Sequence, residues 1–229
     1  ITLFMFAQLY ERDHDHTLLE KYYESFIHKM AKFLAGYIDS TTGLPKPSYD
    51  LWEEQFLTTT YTTATVYGAL LAAADMAEDI KDQRSAVRWR AVAEDIRLAA
   101  HSHLYNKDRG AFYKGLKIVD IVVDPVGVID VSSVYGAFIF NLFDLDSEEM
   151  ISAVRTAYEH LTMQDKPHIK GLARYEDDYY YRINKDEPGN PWFITALWLA
   201  QYHIENNDID KADELISWCK ENMLLSGVL

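Results

Sequence analysis

The chain has 229 residues, of which 48% are hydrophobic and 25% charged, so its composition is that of a globular protein with a sizeable core. Its formal net charge of −14 at pH 7 excludes nucleic acid and anionic membrane surfaces as expected partners, because both would repel it. The single cysteine, Cys219, excludes an internal disulfide. No apolar run reaches the roughly 18 residues of a membrane helix.

The first predicted elements are helical. Residues 1–9 (ITLFMFAQL) are apolar but lack the basic start and the small-residue cleavage site of a signal peptide. They are typical of the middle of a helix, which suggests a trimmed chain, and the composition slightly favours the cytoplasm without fixing a compartment. Residues 17–38 carry apolar side chains at the 3.6-residue spacing of an amphipathic helix.

The segment 48–54 (SYDLWEE) carries the first candidates for chemistry. It follows a loop at 39–49, where Gly43, Pro45 and Pro47 prevent a helix from running through. Glycosidic bond hydrolysis uses two carboxyl groups, one of them protonated to release the leaving oxygen. A glutamate beside Trp52 could lie in a partly apolar pocket that favours this protonated form. The alternative is that the two adjacent glutamates simply begin a helix.

The middle of the chain predicts further helices at 58–80, 84–105, 130–143 and 147–162. The first of them has an alanine-rich face that suits close helix packing, and Asp130 and Ser147 are the expected N-caps of the last two. The only strand-like run, 117–129 (KIVDIVVDPVGVI), is interpreted as a short irregular excursion.

The last third predicts a long loop and two more helices. Residues 163–191 are rich in tyrosine and acidic side chains, and structureless segments of that length are usually functional. Helices are expected at 191–206 and 208–223. Helical hairpins in series are typical of a toroid or a solenoid.

Two motifs resemble those of a known family. The run SYDLWEE followed by TTTYTTATVYGAL resembles the general-acid signature of glucoamylases, glycoside hydrolase family 15. The run GLARYEDDYYYR followed by GNPWFITALWLAQYHI resembles the second signature of that family. The resemblance implies an all-α fold of helical hairpins, an incomplete (α/α)6 toroid forming a single domain over 1–229. It also implies inverting hydrolysis that releases β-glucose from the non-reducing ends of α-glucans or maltooligosaccharides. No cofactor or metal is expected, because the pairs His14/His16 and His101/His103 lack zinc-binding helical spacing with a third ligand in view.

The same resemblance implies a role for each matching residue. Glu53 is expected to be the general acid. The expected substrate-binding or pocket-shaping residues are Asp50, Trp52, Glu54, Arg174, Tyr175, Asp178 and Trp192. For Tyr175, Asp178 and Trp192, a structural role in packing and in holding the loop explains the residue types about as well as substrate binding does. Arg174 fits better as a ligand for paired sugar oxygens, because its guanidinium presents a rigid fork of donors.

The chain also departs from the family pattern. Family members carry the general base in a segment that would begin where this chain stops, at Leu229, so the base is expected outside it. Glu176 and Asp177 are poor substitutes, because the resemblance places them in a substrate-contact loop. Two alternatives stay open: a non-catalytic helical glucan-binding or scaffold module, and a relative that acts on trehalose or dextran linkages. The apolar helix faces that an incomplete barrel exposes also suggest a homo-oligomer.

Overall fold

Helices form most of the structure, a computed structural model that describes residues 1–163 and 168–228. Within these residues, no helix combines the length and the apolar character that a membrane crossing needs. The helices are α1 (Thr2–Asp13), α2 (His16–Tyr22), α3 (His28–Gly36), α4 (Thr60–Asp79), α5 (Gln83–His103), α6 (Val131–Ile139), α7 (Glu148–Leu161), α8 (Phe193–Glu205) and α9 (Ile209–Asn222). A π-helical turn, Tyr23–Ile27, joins α2 to α3.

Short strands connect some of the helices. Four of them form a sheet in the order β1-β2-β5-β6, and β3 pairs with β4 in a separate antiparallel ladder. Within the larger sheet β1 and β2 are antiparallel, with Tyr49 opposite Phe56. The strands are β1 (Ser48–Tyr49), β2 (Phe56–Thr59), β3 (Tyr105–Asn106), β4 (Ala111–Phe112), β5 (Gly115–Val119) and β6 (Val122–Val126).

The chain divides into two compact units. The first contains Ile1–Leu104, Leu116–Asp124 and Phe140–Leu142. Its centre is α4, which packs against α1, α3 and α5. The alanines on the contact surface of α4 are almost completely buried, among them Ala69, Ala73 and Ala77. Small side chains allow two helices to approach closely, so the predicted α4–α5 hairpin forms the core of this unit.

The second unit contains Tyr105–Gly115, Pro125–Ile139 and Phe143–Leu229. Helix α6 packs against both α7 and α8, and α8 forms a hairpin with α9. The α6–α8 contact includes Tyr135 and Trp198, whose rings stack with centroids 4.5 Å apart and planes 10° apart. Most of the second candidate motif lies in the segment that leads into α8.

The helices predicted from periodicity are confirmed, with ends shifted by a few residues. The short strands were not predicted, and they correct the prediction between the helices. The prediction of an irregular excursion at 117–129 is wrong, because β5 and β6 occupy most of it and extend a sheet. The helix predicted from residue 58 begins at Thr60, since Phe56–Thr59 pairs as a strand first. The predicted helix at 130–143 ends at Ile139. The described part of the predicted 163–191 loop contains no helix, and its residues 164–167 lie outside the described residues.

The single domain predicted over 1–229 stays a prediction. Each of the two units has its own buried residues, and each holds one of the two motifs. The acid-bearing segment belongs to the first unit and the arginine-bearing segment to the second.

Candidate active site

A buried aspartate organises the acid-bearing loop of the first unit. Asp50, which is 5% exposed, follows β1 directly. Its Oδ1 accepts hydrogen bonds from the backbone N–H groups of Glu54, at 2.8 Å, and Gln55, at 3.2 Å. The backbone N–H of Asp50 donates to the Gln55 carbonyl at 2.8 Å, which closes the turn between β1 and β2. The loop therefore folds around one carboxylate.

Glu53 occupies the tip of this loop in an uncommon backbone conformation. Its φ is +59°, in the left-handed region that costs a non-glycine residue roughly 1–2 kcal/mol. Its N–H donates to the Asp50 carbonyl at 3.0 Å. The side chain is exposed, so the partly apolar pocket predicted for it is not formed by the described residues. The reason is the loop geometry, which buries Asp50 on the inside of the turn and leaves the tip outside.

The neighbours of Glu53 are partly exposed. Trp52 and Glu54 are both half-buried. At the base of the loop, the rings of Tyr49 and Phe56 meet edge to face with centroids 5.5 Å apart, although both side chains are more than 60% exposed. The first unit therefore presents two carboxylates next to accessible aromatic surface.

A buried ion pair forms the centre of the second candidate segment. Arg174 is 5% exposed and Asp178 is fully buried. The guanidinium donates from Nε to Asp178 Oδ2 at 2.7 Å and from Nη2 to Oδ1 at 2.8 Å. This two-point geometry fixes both the position and the plane of the guanidinium. Gly189 permits it, because a Cβ there would lie 2.8 Å from the Cβ of Asp178.

Aromatic rings surround the same guanidinium. The Arg174 Cζ lies 5.2 Å from the ring centre of Tyr175, 5.0 Å from that of Tyr180 and 5.1 Å from that of Trp192. Trp192 is half-buried, and its Nε1–H is buried without a hydrogen-bond partner among the described residues. Buried donors of this kind are uncommon in folded proteins. The structure thus brings Arg174, Tyr175, Asp178 and Trp192 together in one cluster.

Glu176 is committed to a neighbouring ion pair. Its carboxylate accepts from Arg109 Nη2 at 2.6 Å and from Nη1 at 2.9 Å, and it also accepts from the Ile129 N–H at 2.8 Å. His160 Nδ1 lies 2.8 Å from the same carboxylate. Burial opposes ionisation of Glu176, but the hydrogen bonds and charge of Arg109 and the Ile129 N–H outweigh it and hold the pKa below its ordinary value. Asp177, in contrast, is exposed and 3.3 Å from Arg182.

A second buried cation was missed by the sequence reasoning. Lys114 is 2% exposed, and its Nζ lies 3.2 Å from Asp130 Oδ2 and 4.3 Å from the ring centre of Tyr175. The sequence identified Asp130 only as a helix cap, a role that the structure confirms, since its Oδ1 accepts from the Ser132 N–H at 2.8 Å. A lone lysine between Tyr113 and Gly115 carries no sequence signal that separates it from the exposed lysines. Arg109 was missed for the same reason.

No candidate metal centre emerges from the part of the chain that the structure describes. Within 1–163 and 168–228, histidine, cysteine and acidic side chains do not gather in groups of three or more that could hold an ion.

The chain is similar to known glycosyl hydrolases. The family model for glycosyl hydrolases family 15 matches residues 1–215. An uncharacterized glycosyl hydrolase of Methanocaldococcus jannaschii is 30% identical over 190 residues, which is 82% of this chain and 27% of that protein. A glucoamylase of Blastobotrys adeninivorans is 26% identical over 223 residues, which is 88% of this chain and 35% of that protein. The chain therefore spans about a third or less of these curated relatives.

Solved structures agree on the fold. A bacterial glucoamylase complexed with acarbose superposes with a TM-score of 0.72 over 95% of this chain and 34% of that one, at 17% identity. This likeness supports the predicted all-α class, in which helical hairpins form part of an (α/α)6 toroid. Since the family model covers nearly the whole chain, the protein belongs to the glycosyl hydrolases family 15.

Proposed function

We propose that this chain supplies the acid side of an inverting glycosidase that releases glucose from the non-reducing ends of α-glucans. The observation that carries the proposal is Glu53, an exposed carboxylate on left-handed backbone at the tip of a loop built around Asp50. Strained backbone persists where the surrounding structure imposes it, and it is concentrated at functional sites. Plain helix initiation, the alternative for the paired glutamates, does not fit, because neither glutamate lies in a helix.

In this mechanism Glu53 donates its proton to the glycosidic oxygen as the bond to the anomeric carbon breaks. A water molecule attacks that carbon from the opposite face, so the product is β-glucose. The base that takes the proton from this water stands about 6.5–9.5 Å from the acid in inverting enzymes. We assign the base to residues outside the 229 of this chain.

Glu176 is unsuited to that role although it is acidic and close to Arg174 in sequence. A general base needs a free lone pair directed at water. The carboxylate of Glu176 already accepts from Arg109 and Ile129, and its lowered pKa makes it a weaker base. Its role in this proposal is to hold the loop.

Each of the two motifs has its own proposed contacts to substrate. Glu54 and Trp52 would contact the leaving-group sugar, with Asp50 shaping the loop that carries them. Arg174 would bind sugar hydroxyls, with its orientation fixed by Asp178. Tyr175 and Trp192 would border that guanidinium, which the ring distances of about 5 Å support.

Maltooligosaccharides are the proposed substrates. A relative is named a glucoamylase, and the bacterial glucoamylase of similar fold was solved with acarbose. The chain's charge of −14 also favours a neutral ligand over an anionic one.

The test replaces the acid in the full-length gene product. Glu53→Gln keeps the shape of the side chain and removes its proton, so hydrolysis of maltooligosaccharides should fall by about 10²–10⁴-fold. Glu11→Gln, on the exposed surface of α1, is the matched control and should keep full activity. Proton NMR during the first minutes should show β-glucose as the initial product.

Four results would contradict the proposal. Normal turnover by the Glu53→Gln protein would remove the acid assignment, and α-glucose as the first product would exclude inversion. Activity confined to trehalose or dextran would change the linkage. The 229-residue chain by itself should show little or no hydrolysis, and robust activity would mean that the base lies within it.

A further inference from the structure

We propose that the buried pair Lys114 and Asp130 positions Arg174 for substrate, acting through Tyr175. This inference rests on the proposed function, because it assigns to the pair the placement of a sugar-binding guanidinium. Neither residue belongs to a motif that pointed to the site.

The contacts form a continuous chain within the second unit, with one ion pair on each side of the Tyr175 ring. Asp130 Oδ2 lies 3.2 Å from Lys114 Nζ, and that ammonium lies 4.3 Å from the ring centre of Tyr175. The Arg174 Cζ lies 5.2 Å from the same ring centre and pairs with Asp178. One tyrosine ring therefore contacts two cations, and each cation has its own carboxylate. A cation is attracted to a ring face, so the ammonium restricts where this ring can lie.

The backbone ties the same residues together. The Val131 N–H, next to Asp130, donates to the Arg174 carbonyl at 3.0 Å, and Asp130 and Tyr175 form an isolated antiparallel bridge. The Asp130 Oδ1 also accepts from the Ser132 hydroxyl at 2.7 Å, at the start of α6. The start of α6 thus fixes the position of Asp130, and the ion pair with Asp130 in turn fixes the position of the Lys114 ammonium.

Stability alone does not account for such a pair. Removing two charges from water is costly, and apolar residues of similar volume often stabilise a protein as well or better. Lys114 and Asp130 are 2% and 1% exposed, so the cost of burial is close to its maximum. What apolar replacements cannot supply is a fixed charge against the Tyr175 ring. The pair therefore fixes the position of the Tyr175 ring, and removing the pair should displace the Arg174 guanidinium.

The experiment uses the full-length gene product labelled with [15N]arginine. The double variant Lys114→Met/Asp130→Asn removes both charges, keeps similar volumes and retains an N-cap oxygen at 130. Lys117→Met is the matched control, because Lys117 is an exposed lysine three residues further along the same segment. The readouts are the Arg174 Nε–H resonance, assigned by its loss in Arg174→Lys, the circular dichroism spectrum, and kcat and KM for maltooligosaccharides.

We expect the folded double variant to shift the Arg174 Nε–H resonance and speed its exchange with water. We also expect kcat/KM to fall by about 10–100-fold, as small displacements of binding groups do. Lys117→Met should change neither. An unshifted Arg174 resonance in a folded double variant would overturn the proposal. If that variant does not fold, Asp130→Asn alone is measured with the same two possible outcomes for the resonance. If the wild type hydrolyses no glucan, the proposed function fails, while the resonance still decides the positioning.

Discussion

At the scale of single residues, Asp50 fixes the conformation of the acid-bearing loop. The family resemblance predicts that Asp50 shapes the pocket, and the structure adds that its Oδ1 accepts hydrogen bonds from the N–H groups of Glu54 and Gln55. A carboxylate that accepts two backbone donors inside a turn replaces the water those donors would otherwise bind. The conformation of Glu53 thus depends on a residue three positions earlier.

Asp50→Ala should loosen this loop and destabilise the protein. The two N–H groups would lose their acceptor, at a cost of about 1–3 kcal/mol in the free energy of unfolding. Urea denaturation measures this cost, and hydrogen exchange at Glu54 shows where it arises. Asp50→Asn is the matched control, because its amide oxygen can still accept at the Oδ1 position. Equal stability of Asp50→Ala and wild type would show that the loop is held by other contacts.

Glu176 gives a prediction about pH. Its pKa is lowered in the folded protein, so its contribution to stability is present above its ordinary value of 4.5 and disappears as the pH falls through the folded value. Glu176→Gln should therefore destabilise the protein at pH 7 and make progressively less difference below pH ~4.5. Denaturant midpoints measured across this range for wild type and variant test it. Glu221→Gln, an exposed change on α9, should show no such trend. If the stability difference between wild type and Glu176→Gln stays constant with pH, the Arg109–Glu176 ion pair does not cause it.

At the scale of elements, the sequence predicted those whose signals are local. The 3.6-residue periodicity located α4, α5 and α7, and the predicted cap at Ser147 is confirmed by the bond from the Met150 N–H to its hydroxyl at 3.2 Å. The strands were missed because β1, β3 and β4 are two residues long, too short to show alternation. Strand β5 was misinterpreted because its sheet partner, β2, lies about 60 residues earlier in the chain. Pairing over such a separation leaves no pattern in a short window.

Ser147→Ala tests an element boundary that the sequence alone predicted. Loss of the hydroxyl acceptor at the start of α7 should lower the free energy of unfolding by about 1 kcal/mol. Ser147→Asp should retain stability, because aspartate is an equally good cap and its charge suits the helix dipole. Thermal or urea unfolding of the three proteins measures the difference. If Ser147→Asp is as unstable as Ser147→Ala, capping is not what the serine contributes.

At the scale of the whole molecule, the two motifs predicted the family, which is confirmed, and a set of candidate site residues, whose roles stay predictions. They could not predict Lys114, since a buried lysine is identified only by what folding places around it. Local residue order likewise could not show that Glu176 is tied to Arg109, 67 positions away in sequence. The residues proposed to carry chemistry have recognisable neighbours in the sequence, whereas those that contact and orient them come from distant segments.

The surface of α1 leads to a prediction about assembly. Met5 and Leu9 of α1 and its N-cap residue Ile1 recur every four residues, and each is at least 50% exposed, so they form an apolar ridge along one side of the helix. Exposed apolar surface of this kind promotes association between copies. We expect the 229-residue chain to self-associate, and Met5→Lys/Leu9→Lys to shift it towards the monomer in size-exclusion chromatography with light scattering. Glu11→Lys changes the charge of the same helix without removing apolar surface, so it should leave the oligomer intact. A wild-type chain that is monomeric at high concentration would show that the ridge does not bind a second copy.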